Sequence, residues 1–275
     1  MSKATQLKAR MKNMAAQYHI PAQAVLQNYM LERLLERISI SKYRDKFILK
    51  GGLLIASLVG ISSRTTMDMD VTLKKYPLSG EGIKQSFSEI CAIMLDDGVT
   101  FQLDHVEPIR GDDEYGGYRA KLLAVYESIR TPVKVDVTIG DVLTPAAIRY
   151  AFPSIFEQKR IEVWAYNIET ILAEKVETIL RRSVLNTRPR DCYDVFILVN
   201  TQGQGFSQAL FEKALKATAK KRESLDALAN RKRIIETIRS DGMIRQRWER
   251  YCAENEYARG IAFDDVLDIV ATIMD

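Results

Sequence analysis

Apolar positions along the chain change their period twice. Up to about residue 40 they recur at helical spacing. Residues 3–17 read as one helix. A second follows Pro21, a residue suited to a first helical turn. There Val25, Leu26, Tyr29, Met30, Leu34 and Ile38 form one stripe, as an amphipathic core helix requires. The middle of the chain switches to short alternating runs. Phe47-Ile48-Leu49, residues 67–73, 99–103, 106–109 (separate from the previous run or bent into one with it), 118–126, 132–139 and 161–165 read as strands. Helical runs over 53–59 and 81–96 interrupt them, the latter with Ile83, Phe87, Ile90, Ile93 and Met94 inward. After about residue 155 the strands thin out. A helix from Asn167 to Arg182, a second from Cys192 to Val199, a turn at 201–205 and a run of three or four helices from Phe206 complete the pattern, with breaks near residues 240–242 and 260. The expected fold is α+β: a mixed sheet with helices on it, then a helical bundle. The expected division is 1–155 and 156–275.

Within this frame one stretch carries chemistry. Lys50-Gly51-Gly52 ends the first strand and opens a helix, and Met67-Asp68-Met69-Asp70-Val71 opens the next. On a strand, residues two apart share a face. Asp68 and Asp70 are therefore expected side by side, with Met69 and Val71 turned to the core. Paired carboxylates repel unless a cation neutralises them. Mg²⁺ suits such a site, because it takes oxygen ligands and shares its shell with substrate phosphates. The glycines permit positive φ and let a phosphate approach the backbone at a helix N-terminus. Arg64 and Thr66 lie just upstream, and Lys134-Val135-Asp136-Val137 is a second apolar strand with an acid. The plainer alternatives are an exposed acidic edge strand and an ordinary glycine turn. Two residues further on stand out. Lys175 interrupts the apolar stripe of its helix, where a snorkelling lysine is the plain reading. Asp191 stands where a helix N-cap is expected, with Asp194 in the first turn.

Composition changes little in this picture. Among 275 residues, 47% are hydrophobic and 28% charged, ordinary for a globular protein. No apolar run is long enough to span a membrane. The first residues lead into a charged amphipathic stretch, so no secretory signal is expected and the cytoplasm is the expected location. Cys91, Cys192 and Cys252 are too scattered for a disulfide framework or a zinc site. With two histidines, His19 and His105, histidine chemistry is not expected. The distribution of charge is more informative than the net +4. Residues 1–50 hold ten Lys and Arg against three Asp and Glu, and residues 213–250 hold twelve against five. Each stretch is thus +7, which leaves −10 for the rest, including the candidate metal strands. Basic flanks around an acidic centre suit a polyanion approaching a metal-loaded site, and equally suit two solvated helical faces.

Taken in order, Lys50-Gly51-Gly52, Arg64-Thr65-Thr66-Met67-Asp68-Met69-Asp70, Ala173-Glu174-Lys175 and Arg188-Pro189-Arg190-Asp191-Cys192-Tyr193-Asp194 resemble the four motifs of AbiEii-type nucleotidyltransferase toxins, which include the MenT-like toxins. The resemblance covers roughly residues 20–200. It implies a DNA polymerase β-like nucleotidyltransferase core followed by a helical domain, and a toxin acting beside a cognate antitoxin in abortive infection or phage defence. Lys50, Gly51, Gly52, Arg64 and Thr66 would then bind the nucleoside triphosphate. Asp68 and Asp70 would hold Mg²⁺, with Asp136 at the position of the superfamily's third carboxylate, an acid that varies within the family. Thr66 stands where several relatives have a serine that can be phosphorylated. Lys175 and Asp191 would be needed for activity. The acceptor would be RNA, expected to be a tRNA 3′ end, guided by Lys213, Lys216, Lys220, Lys221, Arg222, Arg231, Lys232 and Arg233. A nucleotidyl- or phosphotransferase acting on a protein or small molecule, and a non-catalytic nucleotide-binding toxin, stay open beside it.

Overall fold

A computed structural model describes residues 2–74, 76–77, 79–109, 116–202 and 205–275, so part of the expected turn at 201–205 lies outside the described residues. The chain forms two compact units. The first comprises residues up to Asp141 together with Ile148–Ala165, and the second comprises Val142–Ala147 and Tyr166–Asp275.

The first unit is built on one mixed sheet. Its strands are β1 (Phe47–Lys50), β2 (Met69–Leu73), β3 (Val99–Pro108), β4 (Gly117–Tyr126), β5 (Ile129–Ile139), β6 (Ile148–Pro153) and β7 (Arg160–Ala165), in the spatial order β3-β4-β5-β2-β1-β7-β6. β2 runs parallel to β5 and β1 parallel to β7, and the other pairs are antiparallel. Alternation decides the faces. In β5, Val133, Val135 and Val137 are buried, while Lys134 is exposed and Asp136 half-buried. One face is thus core and the other is available for chemistry.

Four helices belong to this unit: α1 (Lys3–Tyr18), α2 (Ala22–Ile40), α3 (Gly51–Val59) and α4 (Gly80–Cys91). α2 packs on β5, β7 and α4, α4 packs on β3 and β4, and α3 follows β1 directly. α2 departs from a simple amphipathic helix, because its polar side is buried as well. Arg37 binds both oxygens of Asp97 at 2.8 and 2.9 Å and the Ile93 carbonyl at 3.1 Å. Glu32 accepts from Ser154 Oγ at 2.6 Å and from the Ile155 backbone N–H at 2.7 Å. Buried charges of this kind persist because each has a partner. The same bonds account for two departures from the sequence pattern. α4 stops at Cys91, short of 96, and Met94 is exposed, because the chain must turn to bring Asp97 under α2. Glu32 meanwhile fixes the chain just beyond β6, an edge strand that periodicity does not predict.

The second unit is helical: α5 (Ile168–Arg182), α6 (Pro189–Gln202), α7 (Gln208–Lys221), α8 (Leu225–Ala229), α9 (Arg231–Ser240), α10 (Gly242–Glu254) and α11 (Phe263–Thr272). α5 is its centre and packs on α6, α7, α8 and α9. Asn167 caps it by accepting from the Thr170 backbone N–H at 3.2 Å and donates to the Thr144 carbonyl at 2.7 Å. α6 starts at Pro189, so Asp191 lies in the first turn and is not the cap. Among the described residues no helix is long and apolar enough to cross a membrane.

Candidate active site

The glycine pair of the first unit sits where the first two of the four motifs meet. Gly51 has φ +66°, a left-handed conformation that glycine adopts without strain. A methyl group placed on it would meet Asp70 Oδ2 at 2.0 Å, and one on Gly52 would meet Thr66 Oγ1 at 2.7 Å. Glycine is therefore demanded twice, once by backbone conformation and once by the close approach of side chains. Lys50 precedes α3 without a side-chain cap on its first turn, so the leading amides of that helix lie beside the acidic strand. Thr66 is buried and donates to Asp68 Oδ1 at 3.0 Å. Arg64 is buried too. Its guanidinium lies against Gly52 and bonds the Thr65 carbonyl, which fixes the approach to β2. β2 begins at Met69, so Asp68 lies one residue before it, with Met69 and Val71 buried between and beyond the acids.

Strand register extends this site into a row. Lys50 pairs with Asp70 across β1 and β2, and Asp70 with Asp136 across β2 and β5. Asp136 pairs with Arg119 across β5 and β4, and Arg119 with Glu107 across β4 and β3. Directly opposed residues share a face, so five charged side chains cross the sheet in line. Arg119 donates from Nε to Asp136 Oδ1 and from Nη2 to Oδ2, both at 2.7 Å. These hydrogen bonds outweigh partial burial, and with the charges of Asp136, Asp68 and Glu107 they raise the Arg119 pKa. Lys50 reaches Asp141 Oδ2 at 2.5 Å, and Thr138 Oγ1 donates to the same oxygen at 3.1 Å.

Lys175 and Asp191 come together in the second unit. Lys175 Nζ lies 2.7 Å from Asp191 Oδ1 and 2.8 Å from Asp194 Oδ2. The side chain of Asp194 is fully buried and that of Asp191 is 7% exposed. Burial alone would depress the lysine pKa, but the two carboxylates outweigh it and hold the amine above its ordinary value. The embedded lysine, half-buried itself, is thus paired with two buried carboxylates and not extended into solvent.

Of the basic residues expected to guide RNA, Lys213, Lys216, Lys220 and Lys221 on α7 and Lys232 and Arg233 on α9 are exposed, and Arg231 is half-buried. Arg222 departs from that expectation. It is bound to Glu177 at 2.7 Å and to Glu174 and Thr178, both at 3.2 Å, and ties the end of α7 to α5. Sequence reasoning did not assign Arg119, Asp141 or Asp194 to a site. Only Asp194 had a local signal, since it ends the fourth motif and residues three apart on a helix share a face.

Among the described residues no cluster of three His, Cys, Asp or Glu side chains could hold a metal ion by itself. Asp68 and Asp70 still suit Mg²⁺, because that ion is commonly held by one or two carboxylates plus substrate phosphates. The donor chemistry fits, with oxygen ligands and no histidine or thiolate.

Residues 33–269 match the family described as the nucleotidyl transferase AbiEii toxin of type IV toxin–antitoxin systems. No curated protein matches the chain. Among solved structures, MenT4, the nucleotidyltransferase toxin Rv2826c of Mycobacterium tuberculosis H37Rv, aligns over 97% of this chain and 88% of its own at 15% identity and a TM-score of 0.58. JHP933 of Helicobacter pylori aligns over 92% and 90%, at 13% identity and a TM-score of 0.46. The MenT4 likeness extends a shared nucleotidyltransferase fold over nearly the whole chain.

Proposed function

The chain belongs to the AbiEii nucleotidyltransferase toxin family of type IV toxin–antitoxin systems, and from that premise we propose that it transfers a nucleotide from a nucleoside triphosphate to RNA, at the 3′ end of tRNA. Loss of usable tRNA would arrest growth in the cytoplasm of an infected cell, and the cognate antitoxin would hold the toxin in check. The observation that carries this reading is the packing of Asp70 against Gly51 and of Thr66 against Gly52. It joins an uncapped helix start to an acidic strand, the arrangement a triphosphate needs.

Each residue then has a task. The leading amides of α3 and the Thr66 hydroxyl take phosphate oxygens. Lys50 and Arg64 set the charge and shape of that cradle. Asp68 and Asp70 would hold Mg²⁺, which when bound would offset charge on the α-phosphate and the departing pyrophosphate. The acceptor hydroxyl oxygen forms a bond to the α-phosphorus, the α–β bridging bond breaks, pyrophosphate leaves and the hydroxyl proton is lost to solvent. Lys175 and Asp191 serve the reaction as the family likeness implies. Asp191 and Asp194 engage two of the three ammonium donors and fix the amine. The exposed lysines of α7, with Lys232 and Arg233, attract the acceptor's phosphates.

The test is transfer of α-labelled nucleoside triphosphate to total tRNA with Mg²⁺, with each nucleotide in turn and Asp70→Ala alongside. Label on tRNA that the variant does not produce is the expected result. Label from a γ-labelled donor would reveal phosphoryl transfer instead. An unlabelled tRNA pool, with Asp70→Ala still toxic in cells, would end the catalytic reading.

A further inference from the structure

The third carboxylate has a tenant. Asp136 is the residue expected as the third carboxylate beside Asp68 and Asp70, where it could help to hold a second ion, yet both its oxygens are engaged by Arg119 at 2.7 Å. The backbone builds this pair. Arg119 and Asp136 are direct cross-strand partners in a β4–β5 register that runs unshifted from Gly117↔Thr138 to Tyr126↔Ile129. A one-residue slip would send every side chain of β4 to the opposite face, so the fork cannot leave its partner by sliding. The guanidinium is planar and always charged, and it matches a carboxylate with two parallel bonds.

The donor set points the same way. Asp68 and Asp70 supply two carboxylates, which with triphosphate oxygens suffice to hold one divalent ion. Asp136 is a third carboxylate, and Arg119 matches its charge. A second divalent ion on Asp136 would have to share that carboxylate with a cation already seated on it. We infer that this site takes a single divalent ion, on Asp68 and Asp70, and that Arg119 stands on Asp136 as a built-in cation in place of a second ion. The inference rests on the reading of Asp68 and Asp70 as the metal strand. Arg119 is then a positioning residue. It holds Asp136 neutralised beside Asp70, its partner across the β2–β5 register, and so keeps two neighbouring acids from repelling each other.

Crystals of the full chain soaked with Mn²⁺ and an α,β-methylene nucleoside triphosphate, each nucleotide in turn, would count the ions by anomalous scattering. Electron paramagnetic resonance of Mn²⁺ would repeat the count in solution. One ion at Asp68 and Asp70, with Arg119 still on Asp136, is expected for the native chain, and a second ion on Asp136 in Arg119→Gln. Two ions in the native chain would overturn the inference without any variant. So would a single ion in a folded Arg119→Gln, since Arg119 would then not be what excludes the second. No ion at Asp68 and Asp70 in either chain would overturn the metal-strand reading itself, a result distinct from both.

Discussion

Gly51 shows how much one residue can carry. Alanine there would meet a left-handed backbone and the Asp70 carboxylate at 2.0 Å together. Left-handed strain and overpacking each cost on the order of 1–2 kcal/mol, so Gly51→Ala is expected to lose about 3 kcal/mol of stability and nearly all nucleotide transfer. Urea unfolding beside a transfer assay checks this, and an unchanged midpoint would mean the close approach does not exist. Lys175 makes a second case. Its stabilising pairs rest on a pKa raised above the ordinary lysine value of about 10.4. That stability is complete below the unfolded value and fades as pH rises through the folded one. Lys175→Met strands two buried acids and should cost about 3–5 kcal/mol near neutrality. The gap between native and variant chains should be flat from about pH 7 to 9.5 and narrow above about pH 10.4. A gap that narrows near neutrality would point to another group. At this scale the sequence shows Asp68, Asp70 and the glycines, because alternation and helix starts are local signals. It does not show Arg119, because only the register of β4 on β5 sets it against Asp136.

Elements were legible where one period held for long enough. α2, α5 and β5 follow from their stripes, whereas β6 does not. Its residues Ile148 and Arg149 are exposed and Phe152 alone is fully buried, so an edge strand leaves no clean alternation to read. The polar side of α2 was equally hidden, since burial of Glu32 and Arg37 depends on Ser154, Ile155 and Asp97, far off in sequence. α5 illustrates an element fixed at its start from two directions. Asn167 caps its first turn and also holds the Thr144 carbonyl of the same unit. Asn167→Ala should therefore cost about 2 kcal/mol, beyond the typical value of about 1 for a lost cap. Asn167→Ser, which keeps a capping oxygen and loses the amide donor, should fall between. Thermal unfolding of the three chains orders them, and equal midpoints for the Ala and Ser variants would show that the cap contributes nothing.

At the scale of the molecule, charge is partitioned in a way that the net value of +4 conceals. The charged row is fixed in the sheet, while the cations of residues 213–250 divide into two kinds. Arg222 is engaged by Glu174 and Glu177, and Arg239 and Arg245 by Asp264. Lys213, Lys216 and Lys220 stand exposed along α7, whose opposite side buries Phe211, Leu215 and Thr218. A count of basic residues cannot separate these kinds, because pairing is a property of packing. Their response to salt can. Each phosphate neutralised by an exposed lysine releases counterions and contributes about 0.7–0.9 to the slope of log affinity against log salt. Replacing Lys213, Lys216 and Lys220 by Gln should lower tRNA affinity and reduce that slope by about 2–3. Arg222→Gln should instead lower the unfolding midpoint, because it removes the bonds from the end of α7 to Glu177, Glu174 and Thr178 on α5, and leave the slope where it was. Binding isotherms across a salt series, with melting curves on the same preparations, make the distinction. A slope that Arg222→Gln reduces and the triple variant does not would place the RNA-binding face elsewhere.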